Sequence, residues 1–492
     1  MRVGLQSVGN LEPSRAQGAG LLLIKAACDT LTRFDLSGAV SPGLASSWDM
    51  AGEGKRLTLK LRRDLSFHDG ETLDAPAVAD SLSRVVQDAA NSPWAALLSN
   101  VLGYSEVVAG SASRLQGIAV KGPHSLQIDL SQPDADFPAS LAHPSLAPVS
   151  PRQPPAAGSG PLPICVGPFR FGGASGHLRL ENLQSYQGPH PARLDRIHLS
   201  EFESEDAVFE AFLRDEVDVS PAPGARLLEI PQGAGHLRRA TPQLTYLAVD
   251  ITKPETADAR VRRSLSLAIN RLAVIDGAFG DDRRPAFGWL GVDPPSESEC
   301  NRFGGKVADV DRARSLFAES GIQAEAVKLP LRFDGSQFGR LVGEAVAVEI
   351  SSALGVKVTP EAVDQSTLQA TVRDKATPFL ALMTADPDVP VPGRLIANLF
   401  STGSPSNMLG YSSDAFDRKL QESRSTLEQD DRLRAFADAE SLLCSAMPAI
   451  PLWTGARHWV LDDQRARVEG SELDFSGDLP LRDLREPQAI QR

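Results

Sequence analysis

Leu57-Thr58-Leu59-Lys60-Leu61-Arg62 alternates apolar and polar side chains, and Leu65-Ser66-Phe67-His68 repeats the pattern before the turn pair Asp69-Gly70. A period of two puts every second side chain on one face, so 57–68 is predicted to be strand. Asp74 follows, with Pro76 two residues on and then Val78 and Leu82, which predicts a helix with Asp74 as its N-cap. Ile118-Ala119-Val120 and 125–130 flank the turn Gly122-Pro123 and predict a second strand pair. Further strands are predicted at 179–182, 196–202 and 244–250. Apolar stripes at helical spacing predict helices at 206–213, 259–279, 309–320, 338–354, 414–428 and 430–446. Helices and strands mix throughout, which predicts an α/β or α+β class, with no internal repeat of fixed period. The Pro-, Gly- and Ser-rich stretch 148–163 predicts a linker or surface crossing between domains.

The chain has 492 residues, which suggests roughly three domains at about 150 each. Hydrophobic residues at 42% and charged residues at 23% are ordinary for a globular protein. Acidic side chains outnumber basic ones, 63 to 50, for a net charge of −13. That balance speaks against a nucleic-acid partner or an anionic membrane surface, which require clustered positive charge. The opening residues 1–13 show no signal-peptide pattern, because a Glu-Pro break comes before any apolar stretch, and Leu21–Ile24 is too short a run. As written, the chain is expected to be free of an export address.

Cys28, Cys165, Cys300 and Cys444 are widely spaced and form no C-x-x-C pair. They are expected to be four small, partly buried residues rather than metal ligands; a disulfide is possible but unassigned. Phosphate-loop, zinc-protease, serine-elbow and EF-hand motifs are absent, and Gly304-Gly305-Lys306 is followed by Val307. His68 before Asp69-Gly70 is expected to be a hydrogen-bonded turn residue rather than a base. No catalytic residue, cofactor or metal is expected.

Several segments, in order, resemble the extracytoplasmic solute-binding proteins of peptide and nickel ABC transporters (family 5). Leu11-Glu12-Pro13, Cys28-Asp29-Thr30-Leu31 and Leu44-Ala45-Ser46-Ser47-Trp48 are similar to the family's opening steps. Residues 61–78 follow "LR-x-x-v-x-F-h-d-G-x-x-l-x-A-x-d-V", with Ala77 where an acid is usual. Cys165-Val166-Gly167-Pro168-Phe169 stands at the G-T-G-P-Y position, and Asn182 with Tyr186-Gln187-Gly188 resembles "N-x-x-Y-x-x-G". Residues 258–271 resemble "D-x-R-V-R-x-A-l-x-x-A-i-d-R", and Asn407, Tyr411 and Asp417 resemble "N-x-x-x-Y-x-x-x-x-x-D". Pro448–Leu452 resembles the strand leading back to the first domain.

The resemblance implies an α/β, periplasmic-binding-protein-like clamshell of two lobes with a small inserted domain. Lobe I would comprise 1–35, 166–243 and 456–492, the inserted domain 36–165, and lobe II 244–455. The chain would cross between lobes near 245–250 and 450–454, and closure would bury ligand. In peptide-binding relatives an aspartate after "G-W-x-x-D" meets the peptide's amino group. Here Asp386 or Asp388 is available, depending on where a two-residue length difference falls; a plain Asp-Pro-Asp turn is the other reading. The family's tryptophan is missing, with Met383 or Ala385 in its place, which removes an aromatic wall. Arg332 stands near the arginine that meets a ligand carboxylate in some relatives, with a structural arginine as the other reading. Asn407, Tyr411 and Trp453 complete the implied ligand set, each with packing or loop structure as its alternative.

The function implied is a non-catalytic, monomeric receptor that captures a small peptide or other polar solute for ABC permease subunits in the membrane. The alternative is the same scaffold repurposed as a non-exported enzyme or carrier in a biosynthetic or regulatory pathway. A transcription regulator is not expected, since residue 1 already lies close to the family's first strand. Localisation would be periplasmic or at the cell surface by resemblance, and cytoplasmic if residue 1 is the native start.

Overall fold

The computed structural model describes residues 1–154, 162–173, 178–279, 283–290, 298–387, 389–391 and 393–487. The chain divides into two compact units, 1–239 with 457–492 and 240–456. The boundaries fall inside two long strands, Gly235–Val249 and Ala449–Leu461.

In the first unit Arg2–Gln6 pairs in parallel with Arg196–Phe202 and with Val219–Pro221. Arg179–Asn182 and Phe169–Gly172 extend the sheet antiparallel on one side, and 459–461 closes it antiparallel on the other. Val3, Leu5, Ile197, Leu199 and Val219 share a core with the helix Gly18–Ala27 and with Leu481 and Leu484 near the C-terminus. A separate four-stranded antiparallel sheet holds Ala45–Ala51, Arg56–Leu61, Ser125–Asp129 and Ile118–Gly122 in that order. The predicted strand at 57–61 and the predicted pair at 118–120 and 125–130 contribute to it. The predicted helix is Ala75–Gln87, and the Asp74 carboxylate accepts the Ala77 N–H at 2.9 Å.

Part of the 57–68 prediction is corrected. The strand stops at Leu61, Asp64 turns the chain at φ +61°, and only Ser66 pairs further on, bridging Thr72. Alternation continued past the strand because Leu65 and Phe67 plug the core from a turn. Of the stretch 148–163, residues 155–161 lie outside the described residues; Val149 bridges Cys165 across it.

In the second unit Lys357–Val363, Lys328–Asp334 and Leu380–Ala385 run parallel, and 244–249 pairs antiparallel with the last of these. At 244–249 and 380–383 the sheet has a core against each face. Leu247, Val249, Leu329, Leu331, Phe333 and Leu380 face one core, while Leu244, Tyr246, Ala248, Ala381 and Met383 face another. The predicted single helix 259–279 is two, Ala259–Ala268 and Arg271–Phe279. Ile269 is extended, and the Asn270 side chain restarts the helix by accepting the Ala273 N–H at 3.1 Å. Apolar spacing carries across the break because both pieces pack on the same core.

The cysteines, expected to be partly buried with any disulfide left open, are fully buried and paired. Cys28 is bonded to Cys165 and Cys300 to Cys444, with Cα atoms 5.5 and 4.9 Å apart, and no described cysteine is free. Each bridge spans about 140 residues (137 and 144), so no local spacing announced it.

Candidate functional site

Ligands of open α/β sheets gather at the carboxyl ends of the parallel strands, where the chain turns into helices. In the second unit three such ends adjoin. Lys328–Asp334 leads through Ser336 into Gln337–Leu354, and the Ser336 hydroxyl caps that helix by accepting the Gly339 N–H at 2.9 Å. Lys357–Val363 leads through Asp364 into Gln365–Asp374, with the Asp364 carboxylate accepting the Thr367 N–H at 2.9 Å. The Ser366 hydroxyl, then the Thr367 amide and hydroxyl, hold the Asp364 carboxyl well below the usual carboxylate range. These helix starts are therefore capped by the chain itself. Leu380–Ala385 leads into Asp386-Pro387 and on to the helix Arg394–Phe400. Gly393 opens that helix at φ +83°, and a Cβ there would lie 2.0 Å from the Phe436 ring, so only glycine fits.

The parallel register pairs Leu331 with Leu380, so the strand 380–385 extends past the end of 328–334 and carries Asp386 outward. Asp386 is exposed at this edge, and Asp388 lies outside the described residues. Arg332 is half-buried one strand away and is engaged within the protein: its Nε donates to Glu361 Oε2 at 3.0 Å and its guanidinium reaches the Thr371 hydroxyl at 3.3 Å. Glu361 is its cross-strand neighbour, which explains the pairing.

Asn407 and Tyr411 are brought together. The Asn407 amide donates to the carbonyls of Ser401 and Tyr411 at 3.0 and 2.7 Å and accepts the N–H groups of Gly410 and Tyr411. Tyr411 packs edge-on against Phe400 and Phe416, and burial pushes its phenol up. Trp453 is 1% exposed within the core behind the sheet, so its ring serves packing in this structure. His68 is a turn residue whose Nε2 lies 3.2 Å from the Gly167 carbonyl.

Two residues that sequence reasoning passed over stand behind this edge. Trp289 is fully buried, and the Glu440 carboxylate accepts the N–H groups of both Trp289 and Leu290. The signal for Glu440 was present: it interrupts the buried stripe Phe436, Ala439, Leu443 and Cys444 of the helix Gln429–Ala446. In the first unit Asp215, Asp218 and Asp462 cluster as a metal site would, but Arg2 and Arg465 neutralise them with ion pairs, so the geometry describes a salt-bridge network.

The family model "Bacterial extracellular solute-binding proteins, family 5 Middle" matches residues 39–407, and the chain belongs to that family, one of transport solute-binding proteins rather than of enzymes. The chain is similar to the periplasmic oligopeptide-binding protein OppA of Escherichia coli, 24% identical over 85% of this chain and 80% of that protein. A probable deoxycholate-binding periplasmic protein of the same organism is 23% identical over 90% of this chain and 86% of that one. Among solved structures, the ABC transporter substrate-binding protein CtaP of Listeria monocytogenes superposes with a TM-score of 0.83 at 17% identity, covering 99% of each chain. That likeness establishes the fold, a periplasmic-binding-protein type of mixed α/β architecture.

Proposed function

We propose that this solute-binding protein captures a small peptide or related solute bearing a free amino group and presents it to ABC permease subunits. The observation that carries the reading is the exposed Asp386 carboxylate at the carboxyl edge of the second unit's sheet, a partner for an ammonium group. Relatives of nearly equal identity are named for an oligopeptide and for deoxycholate. A carboxylate favours the ammonium of a peptide over an anionic bile acid. Arg332 would meet the ligand's carboxylate by exchanging Glu361, and Asn407 and Tyr411 are proposed with it as ligand residues. The remaining organisation is proposed with it: an inserted domain at 36–165, with 1–35, 166–243 and 456–492 forming one lobe and 244–455 the other. Work outside the cytoplasm is supported by the two buried disulfides, which persist in oxidising compartments.

The test is thermal denaturation with free-amine di- to pentapeptides, their N-acetylated forms and deoxycholate, beside native mass spectrometry of protein from its own host. Free-amine peptides should raise Tm by mass action, and N-acetylation or Asp386→Asn should remove the rise. Stabilisation by deoxycholate alone would overturn the reading.

A further inference from the structure

Trp289 is among the largest fully buried side chains, and its indole meets two rings, Tyr246 with centroids 5.6 Å apart and Phe400 edge-on at 4.7 Å. Tyr246 lies opposite Met383, three residues before Asp386, and Phe400 ends the helix that follows it. The helix after Asp386 thus meets the indole directly through Phe400, and the strand before it is paired with the Tyr246 that meets the same ring.

Glu440 holds the backbone that carries that indole: its Oε1 accepts the main-chain N–H groups of Trp289 and, at 2.9 Å, Leu290. The carboxylate is 2% exposed; burial pushes its pKa up and the two amide donors pull it back. The Trp289 indole N–H is buried without an acceptor among the described residues. A buried carboxylate whose described donors are two amides, and an indole N–H without a described acceptor, are both costly, and apolar residues of similar size would avoid both penalties. Stability alone does not account for the pair.

We infer that Glu440 is a positioning residue for ligand capture: by holding Trp289 between Tyr246 and Phe400, it sets the strand and helix that flank Asp386. The inference rests on the reading of Asp386 as the ligand's ammonium partner.

Hydrogen exchange of the full chain without ligand tests the positioning by itself. Glu440→Ala should speed amide exchange in 380–387 and 393–400 by about tenfold or more, because those amides open locally once their support is lost. Glu440→Gln, whose amide oxygen still accepts both N–H groups, should exchange like the parent. Faster exchange confined to the neighbourhood of 289 and 440, or equal in both variants, overturns the inference. Should Glu440→Ala fail to fold, Trp289→Leu takes its place as the loosening variant and Trp289→Phe as the conservative one. Calorimetry at low temperature adds a readout that a purely structural role would not move. The affinity ratio between a free-amine tetrapeptide and its N-acetyl form should fall about tenfold in Glu440→Ala and persist in Glu440→Gln. An unchanged ratio overturns the inference. If exchange behaves as expected but no peptide binds the parent, the positioning stands and the ligand reading of Asp386 falls.

Discussion

In the first unit the buried guanidinium of Arg482 meets the Asp29 carboxylate, whereas in the second unit the fully buried Arg271 meets, among the described residues, main-chain carbonyls and one hydroxyl. Asp29 also accepts the Tyr186 hydroxyl, and Arg482 donates further to the carbonyls of Ala26 and Cys28. Lys25, on the helix Gly18–Ala27, forms a similar pair with Asp474, and its ammonium also lies over the Phe475 ring. These pairs join residues about 450 positions apart, 453 for Asp29 and Arg482, and so fasten the C-terminal segment to the start of a discontinuous unit. Arg271 instead gathers Ser266, Ala286, Gly305 and Pro451, and Arg262 caps the end of Gln429–Ala446 through the carbonyls of Ala446 and Met447. Burial pushes both arginines down to about 10, and at Arg262 the nearby Asp258 offsets only part of it. The lesson concerns partners. A helix end and a set of strand and loop carbonyls carry enough partial negative charge to hold a guanidinium, whose five donors fan out to several acceptors at once.

The largest effect is expected at Arg271. Arg271→Met should cost about 3–5 kcal/mol in urea unfolding, since several buried carbonyls lose their donors together. Arg271→Lys should recover little, because one ammonium cannot span the four segments; a lysine variant as stable as the parent would erase the distinction drawn between the units. Next comes a double-mutant cycle in the first unit. Asp29→Leu and Arg482→Met should each cost roughly 3 kcal/mol, and the double variant should be well short of their sum, with a coupling of about 1–3 kcal/mol. Additive losses would mean that the Arg482 carbonyl contacts, not the ion pair, hold the terminus, making the two units alike.

The smallest effect concerns pH. Burial raises the carboxyl pKa of both Glu12 and Glu440, but Glu12 has Arg84 and Gln153 pulling it back, whereas Glu440 has only two amides. A carboxyl raised in the folded state contributes stability below its unfolded value of 4.5, and that contribution is lost as pH rises through the folded value. Glu440→Gln should therefore match the parent near pH 4 and gain on it above about pH 5. The gain should grow by at most about 1.4 kcal/mol for each step of one in pH, then level off once the folded carboxyl has ionised. A difference in Tm that stays constant from pH 4 to pH 8 would refute the assignment.

Local patterns were legible where a short segment carries its own instruction. Asp74 with Pro76 announced a helix start, and the alternation at 57–61 announced a strand, because caps and pleats depend on neighbours in sequence. The ordered motifs of the family were legible as well, and with them the expectation of a solute-binding protein. The edge at Asp386 could be pointed to by residue type, although not its register beyond Asp334. Reading 259–279 as one helix failed because the break at Ile269 serves Arg271, whose carbonyl partners Ala286 and Pro451 lie 15 and 180 residues away.

By itself, then, the sequence determined the element types, the mixed α/β class and the membership that its motifs express, since these follow from periodicity, caps and spacing within tens of residues. Only the tertiary structure decided which cysteines bond, that Arg332 is held by Glu361, and that Trp289 and Glu440 stand behind Asp386. Those outcomes depend on distances between residues far apart in the chain, which packing of the two cores sets and no local pattern encodes.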